Sequence, residues 1–446
     1  MPDGGTSIPS APGRLPLIGH LVPMRRRPLD FLHSLQDLGG VVRIDLGPWP
    51  VYVLTDPALV HRMLVSGYAT FEKGRVADKV RGFLGSGLIN SNGAFHRQQR
   101  RLMQPAFHRQ RIADYARLMT GVIDEYGTSW RPGQVLDMTE SMHELALRSL
   151  AKTLFSGALG GPAAAEVQRY LPVVLKGMVR RTLSPADWWE RVPTPGNRRL
   201  ANADLRMRTA IQEMINTYRS DRRDHHDLLS ILLLTRDEAS GRGMTDQQIS
   251  NELVTLAVAG METTGTTLAW LLHEIARRPE VEERLLAELD EVLGGRALTV
   301  DDLPQLAYCK ALIDETLRLY HPTWILMRRS LETVRIGDHT FPPGVEFLFS
   351  LSALYRAPEL FTDPLGFDPE RWITGKARDL PRNIFIPFGA GNRGCIGESF
   401  AVTEILIALA TLIPRWRMRH APGAQVSESV AVTIRPKNLL MTVEPR

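Results

Sequence analysis

The chain has 446 residues, a formal net charge of +5, 43% hydrophobic and 23% charged residues, a balance that excludes a disordered or low-complexity chain. Two cysteines exclude a disulfide framework and fit a reducing compartment. The basic residues are scattered arginines with no lysine-rich run, so an acidic protein partner is expected rather than nucleic acid.

The longest early apolar run, Leu15 to Pro23, is too short to span a bilayer and holds Gly19 and His20, so neither a signal peptide nor a membrane anchor is predicted and a cytoplasmic protein is expected. The first 30 residues, with Pro9, Pro12 and Pro16, read as an extended lead-in. Val41 to Leu46 and Val51 to Leu54 flank Gly47-Pro48-Trp49-Pro50 and predict a β-hairpin. Asp56-Pro57 opens a helix to Val65. From Gly74 to Asn92, glycines surround isolated apolar residues (Phe83, Leu84, Leu88, Ile89), the composition of a mobile loop. His96 and Arg100 follow, four apart and so on one helical face. Such a pair is either a solvated surface or a grip for two carboxylates.

Leu118 to about His225 reads as helical, interrupted near Trp188-Trp189, Pro193 and Pro195. Asp227 to Leu234 is a short apolar helix. Thr245-Asp-Gln-Gln248 is a capping box, opening a helix that runs to Arg278 before Pro279, roughly 50 Å long. Leu253 to Leu272 is apolar nearly all round, the mark of a core helix, yet it carries Gly260, Glu262 and Thr263. A buried acid is costly unless satisfied, and threonine can bond back to a preceding carbonyl and bend the helix.

Leu306 to Leu319 is helical, with Glu315 and Arg318 three apart on one face and Cys309 as a structural core residue. Thr323 to Arg329 leads into a strand. Ile336-Gly337 through Gly344 is a hairpin, Val345 to Phe349 a strand, and Val432 to Val443 a closing hairpin.

Phe388-Gly-Ala-Gly-Asn-Arg-Gly-Cys395-Ile-Gly397 precedes a long apolar helix, Phe400 to Ile413. Three readings fit it. Residues 389–394 match G-x-G-x-x-G, but Pro387 precedes the run and no acid occurs from Ile405 to Ser427 to meet a ribose. Cys395 can be a small core residue. Or the helix N-terminus favours its thiolate, the form that ligates metal, with glycines admitting a flat group and Arg393 meeting an anion on it.

Phe388, Gly391, Arg393, Cys395 and Gly397 resemble the haem-binding signature of cytochrome P450 enzymes. The resemblance covers about residues 10–443 and implies a mainly α fold with a smaller β-rich region, a triangular helical prism over one haem domain. It implies haem b with Cys395 as the axial ligand; Phe388, Gly389 and Gly397 would line it. His96, Arg100, Arg393 and Arg328 would bind its propionates, with Arg329 the alternative one register on. Ala259-Gly-Met-Glu262-Thr263 resembles the family's oxygen-activating motif, in which a helix distortion would make room for dioxygen, Thr263 would hydrogen-bond the bound oxygen and Glu262 would relay protons. Glu315, Arg318 and Arg371 would form a structural triad bracing the cysteine loop.

The family resemblance further implies a monooxygenase using O2 and electrons from a separate ferredoxin and its reductase, docked on Arg97, Arg101, Arg109 and Arg111. Phe83, Leu88, Ile89, Met178, Leu256, Ala259, Thr323, Trp324, Ile325 and Leu326 would line an apolar substrate pocket, with Arg75 and Lys79 able to meet a carboxylate. The Trp324–Arg329 run and Gly177-Met178 look similar to bacterial sesquiterpene oxidases of secondary metabolism. Fatty acids, polyketides, macrolides and steroids stay open as substrates; Glu262-Thr263 argues against a peroxygenase, and a haem-thiolate sensor would need the haem site but not Thr263.

Overall fold

The computed structural model of the chain describes residues 7–155, 162–182, 192–221, 223–238, 240–375, 380 and 384–446. Those residues are mostly helical, with their strands gathered into small sheets. They divide into two compact units, Met1–Asp78 with Asp314–Cys395 and Lys79–Ile313 with Ile396–Arg446.

In the first unit, β-branched residues around the Gly47 turn form the expected hairpin, Val41–Leu46 against Trp49–Leu54. Glu346–Phe349 lies parallel to it, Leu326–Ser330 follows antiparallel, and Phe71–Lys73 forms the edge of a five-stranded sheet. That register sets Lys73 opposite Arg328. The helix Pro57–Val65 is capped as read, with Ala58 N donating to Asp56 Oδ1 at 2.7 Å. Its Leu59, Val60, Met63 and Leu64 pack on Phe71, Phe347 and Phe349. Each such side chain contributes about 1.5–3 kcal/mol on burial. The Gly337 hairpin joins Val334–Ile336 to His339–Phe341.

The second unit is organised around the helix Asp246–Arg277. Its capping box is complete: Gln248 N donates to Thr245 Oγ1 at 3.2 Å and Thr245 N to Gln248 Oε1 at 2.7 Å. From Ile249 to Ile275 it is buried except at Leu256, Ala259, Gly260, Glu262 and Thr263. These positions recur at helical spacing, so one strip of a core helix is left uncovered. Met138–Leu154 packs along it, and Glu398–Leu412 packs on Arg109–Thr128 with Tyr115 and Phe400 rings 5.8 Å apart.

Three expectations are corrected. The lead-in is not extended up to residue 30, because Leu21–Arg26 is helical and Pro28, at the first helical position, opens a second helix to Ser34. Gly74 to Asn92 is not a loop throughout, because Arg75–Leu84 is helical. Gly74 and Gly85 lie at its ends, and burial of Phe83 and Leu84 anchors it. The C-terminal strands do not pair with each other. Ile434–Lys437 pairs with Ser427–Val430, whereas Leu440–Pro445 lies between Gln134–Asp137 and Trp416–His420. Asn438, at φ 60°, turns the chain from one sheet to the other. The Trp188-Trp189 interruption lies outside the described residues. No helix among them is long and apolar enough to cross a membrane.

Candidate active site

The 388–395 loop is held by its own backbone: Cys395 N donates to Phe388 O at 2.7 Å, Gly394 N to Gly391 O at 3.0 Å and Gly389 N to Ile386 O at 2.8 Å. Gly391 has φ 66°, and a Cβ there would meet Leu64 O at 2.5 Å, so only glycine fits. Cys395 itself is exposed, three residues ahead of Glu398–Leu412. Cys309, in contrast, is buried, its N–H bonded to Glu288, and burial pushes its thiol far up. One cysteine is therefore presented and the other is inert.

The predicted triad assembles in the first unit. Glu315 accepts two bonds from Arg318, both at 2.9 Å, one from Arg371 at 3.1 Å and one from Trp372 Nε1 at 2.9 Å. Arg318 also reaches Tyr355 O at 3.1 Å, Pro364 O at 2.6 Å and Gly366 O at 2.7 Å. The brace continues into the cysteine loop. Tyr355 Oη accepts from Ile386 N at 2.7 Å, Trp372 packs on Phe385 at 4.3 Å, and His321 Nε2 lies 2.8 Å from Pro387 O.

Arg328 and Arg329 differ in their surroundings. Arg329 is engaged by Glu72 at 3.1 Å, Asp78 at 2.9 Å and Glu346 at 2.7 Å. Arg328 is buried, and burial with the Arg393 charge lowers its guanidinium to about 10. Lys73, opposite it, is pushed well below the ordinary lysine range by burial and by both guanidinium groups. Such a gathering of cations fits carboxylate groups of a ligand. In the second unit His96 is buried and Arg100 half-buried on the helix Gly93–Met103, one turn apart as read.

On the long helix, Glu262 accepts a 2.7 Å bond from Thr433 Oγ1, which satisfies the acid. Thr263 Oγ1 donates to Ala259 O at 2.6 Å, leaving its oxygen lone pairs to accept. Thr263 thus makes the back-bond to a preceding carbonyl that the sequence allowed, and the segment is helical through both residues.

The family model for cytochrome P450 matches residues 9–443. The chain belongs to the cytochrome P450 family. A Streptomyces melanosporofaciens protein named cyclooctat-9-en-7-ol 5-monooxygenase is 42% identical, covering 98% of this chain and 95% of its own. Pentalenene oxygenase of Streptomyces avermitilis is 38% identical, covering 98% and 97%. The solved haem domain of a cytochrome P450DA superposes with a TM-score of 0.88 at 24% identity over 99% of this chain and 98% of that one, which supports the mainly α fold. P450 enzymes bind haem through a cysteine thiolate and take electrons from redox partners to oxidise hydrophobic compounds with O2; this chain is a P450 monooxygenase.

The expected substrate residues divide by unit. In the second, Phe83, Leu88 and Met178 are buried, Ile89 is 42% exposed, and Leu256 and Ala259 lie on the uncovered strip of the long helix. In the first, Trp324 is buried and Thr323, Ile325 and Leu326 half-buried. Arg75 stacks on Trp49 at 3.8 Å, so its side chain is engaged at the surface rather than held for a substrate carboxylate. A surface groove of about 800 Å³ between Arg109–Thr120 and Ala297–Asp301 includes none of these residues.

Several participants carried no signal in the sequence. Lys73 has no motif, and only strand pairing brings it to Arg328. Glu252, on the long helix, accepts from Leu88 N at 2.9 Å and so docks the 85–92 loop; burial pushes its carboxyl up to about 7. Arg208 ties the same region down, bonding Phe83 O and Asn251 Oδ1, the latter at 3.1 Å. The arginines expected to meet a redox partner are partly neutralised. Arg101 pairs with Asp237 at 2.9 Å, Arg109 with Asp301 at 3.6 Å and Arg111 with Asp224 at 3.3 Å, whereas Arg97 is exposed.

Proposed function

We propose that the chain is one haem domain, a cytoplasmic, ferredoxin-dependent oxygenase of a cyclic terpenoid. The observation that carries the reading is an exposed Cys395 in a braced glycine loop, in a unit that also gathers Arg328, Arg393 and Lys73. Cys395 would hold the haem iron. Arg328, Arg393, Lys73, His96 and Arg100 would bind its carboxylates, and Phe388, Gly389 and Gly397 would line it. A haem held there would supply the oxidising chemistry, a monooxygenation that uses O2, two electrons and two protons and yields water beside the oxygenated product.

Glu262 supplies protons and Thr263 orients the oxygen that receives them. Apolar side chains at Leu256, Ala259, Leu88, Ile89, Met178, Phe83 and 323–326 exclude water and hold the hydrocarbon. The terpenoid assignment is supported by the two Streptomyces relatives, whose names specify cyclooctat-9-en-7-ol and pentalenene. Arg97, together with Arg101, Arg109 and Arg111, would meet ferredoxin. An optical titration of the ferric protein with cyclooctat-9-en-7-ol, pentalenene, a fatty acid and a macrolide core tests the substrate class. A low-to-high-spin change with a terpenoid is expected; a change with the fatty acid or macrolide alone removes that assignment.

A further inference from the structure

Glu262 is not an isolated acid. Thr433 Oγ1 donates to its Oε1 at 2.7 Å, Thr266 Oγ1 lies 3.5 Å from Thr433 Oγ1, and His143 Nε2 lies 3.0 Å from Thr266 Oγ1. The four residues come from three parts of the second unit: the helix Met138–Leu154, the long helix, and the turn before Ile434–Lys437. Thr266 and Thr433 are buried. Thr263 and Thr267 bond back to carbonyls of their own helix, at Ala259 and Thr263, as threonines in helices commonly do. Thr266 instead turns sideways, toward His143 and Thr433. The backbone makes room for this contact. A Cβ on Gly265 would lie 2.5 Å from His143 Cδ2, so a side chain there would displace the imidazole.

We propose that His143, Thr266 and Thr433 form a proton relay that supplies Glu262 from the protein surface. The inference rests on the reading of Glu262 as the acid that feeds oxygen activation. The chain has one consistent polarity. Thr433 gives its hydrogen to Glu262, so its oxygen accepts from Thr266, whose oxygen accepts from an Nε2–H of His143. After Glu262 has released a proton, Thr433 passes one to the carboxylate. Thr266 refills Thr433, and His143 refills Thr266 from Nε2 while taking a proton at Nδ1. One proton enters and one leaves, and the hydroxyls and imidazole then reset. The 3.5 Å gap is the longest step, and the two hydroxyls must close it.

The outer end is suited to collecting protons. Glu140, one turn before His143, and Asp137, which caps the helix, are both exposed. Burial holds the imidazole below the usual histidine range; Glu262, Glu140 and Asp137 pull it up and Arg435 pushes it down. At neutral pH it is thus neutral, the form that can both give and take a proton.

Ring-nitrogen NMR on the haem-loaded ferrous carbonyl protein reads His143 without turnover. The relay requires the Nε2–H tautomer, and the pKa of His143 should fall when Glu262→Gln removes the carboxylate. An Nδ1–H tautomer overturns the relay. In turnover with ferredoxin and NADPH, followed by product from cyclooctat-9-en-7-ol or, without it, by NADPH loss and peroxide release, T266V and T433V should each slow proton-dependent turnover. The expected loss is about tenfold, below the full range for a positioned proton donor because water partly substitutes. The solvent deuterium isotope effect should grow, and T266S and T433S should restore the rate. An E262Q variant without effect refutes the acid reading itself; an impaired E262Q beside T266V and T433V at the native rate refutes the relay alone.

Discussion

At the scale of single residues, the proposed mechanism rests on Thr263 and Cys395. Thr263 already spends its hydrogen on Ala259 O, so its contribution is an oxygen that accepts and a side chain that orders its surroundings. Thr263→Ala should leave haem and substrate binding intact and divert electrons from product to peroxide. Product per NADPH should fall by roughly a hundredfold, the low end for a positioned proton-transfer group. Unchanged product per NADPH would remove Thr263 from the mechanism. Cys395→Ser should abolish the thiolate signature of the ferrous carbonyl spectrum; its retention would mean that another residue ligates the iron. Cys309, bonded to Glu288 and buried, should tolerate Ala with that spectrum unchanged.

At the scale of elements, the brace around Glu315 holds the cysteine loop and the dock at Glu252 holds the 85–92 loop. Glu315 and Arg318 are wholly buried and bonded to each other. Glu315→Ala would strand two guanidinium groups and should cost about 3–5 kcal/mol, read as a lowered urea midpoint and poor haem retention. Glu252 holds Leu88 N, and its loss to Ala would leave that buried N–H without its partner, costing about 1–3 kcal/mol. Glu252→Gln keeps an acceptor and should preserve loop position, seen as native hydrogen-exchange protection of Leu88 N. Equal protection in E252A would show that the loop does not depend on this contact.

Across the whole molecule, two buried acids tie stability to pH. Glu252 is raised from 4.5 to about 7 and Glu404 from 4.5 to about 8, both by burial. Glu404 Oε1 has no hydrogen-bond partner among the described residues. Below 4.5 these carboxyls are protonated in folded and unfolded chain alike, and the stabilisation of the neutral form is fully present. It is lost as the pH climbs through about 7 and then about 8. The Tm should therefore fall between about pH 5 and about pH 9 on this account, and less steeply in Glu404→Gln. An unchanged slope in the variant would assign the effect to other groups.

Local signals were legible in the sequence wherever one element carried them alone: the Gly47 hairpin, the Asp56 cap, the Thr245 capping box, the cysteine loop and the Glu315–Arg318 pair. What the sequence did not reveal depends on which distant segments meet. The helix Arg75–Leu84 was hidden by its flanking glycines, and its stability comes from burying Phe83 and Leu84. The C-terminal strands alternate as a hairpin would, yet each finds its partner in a different sheet. Lys73 beside Arg328, Glu252 beneath Leu88 and Thr433 on Glu262 join residues far apart in the chain, and no spacing rule marks such pairs.

The most direct test of the account is turnover of cyclooctat-9-en-7-ol and pentalenene by the haem-loaded protein with ferredoxin, its reductase, NADPH and isotopically labelled dioxygen. The account predicts a product of at least one of them carrying a single labelled oxygen atom, formed by the native chain and lost in Cys395→Ser. Oxygen drawn from water, or the same product from Cys395→Ser, would contradict it.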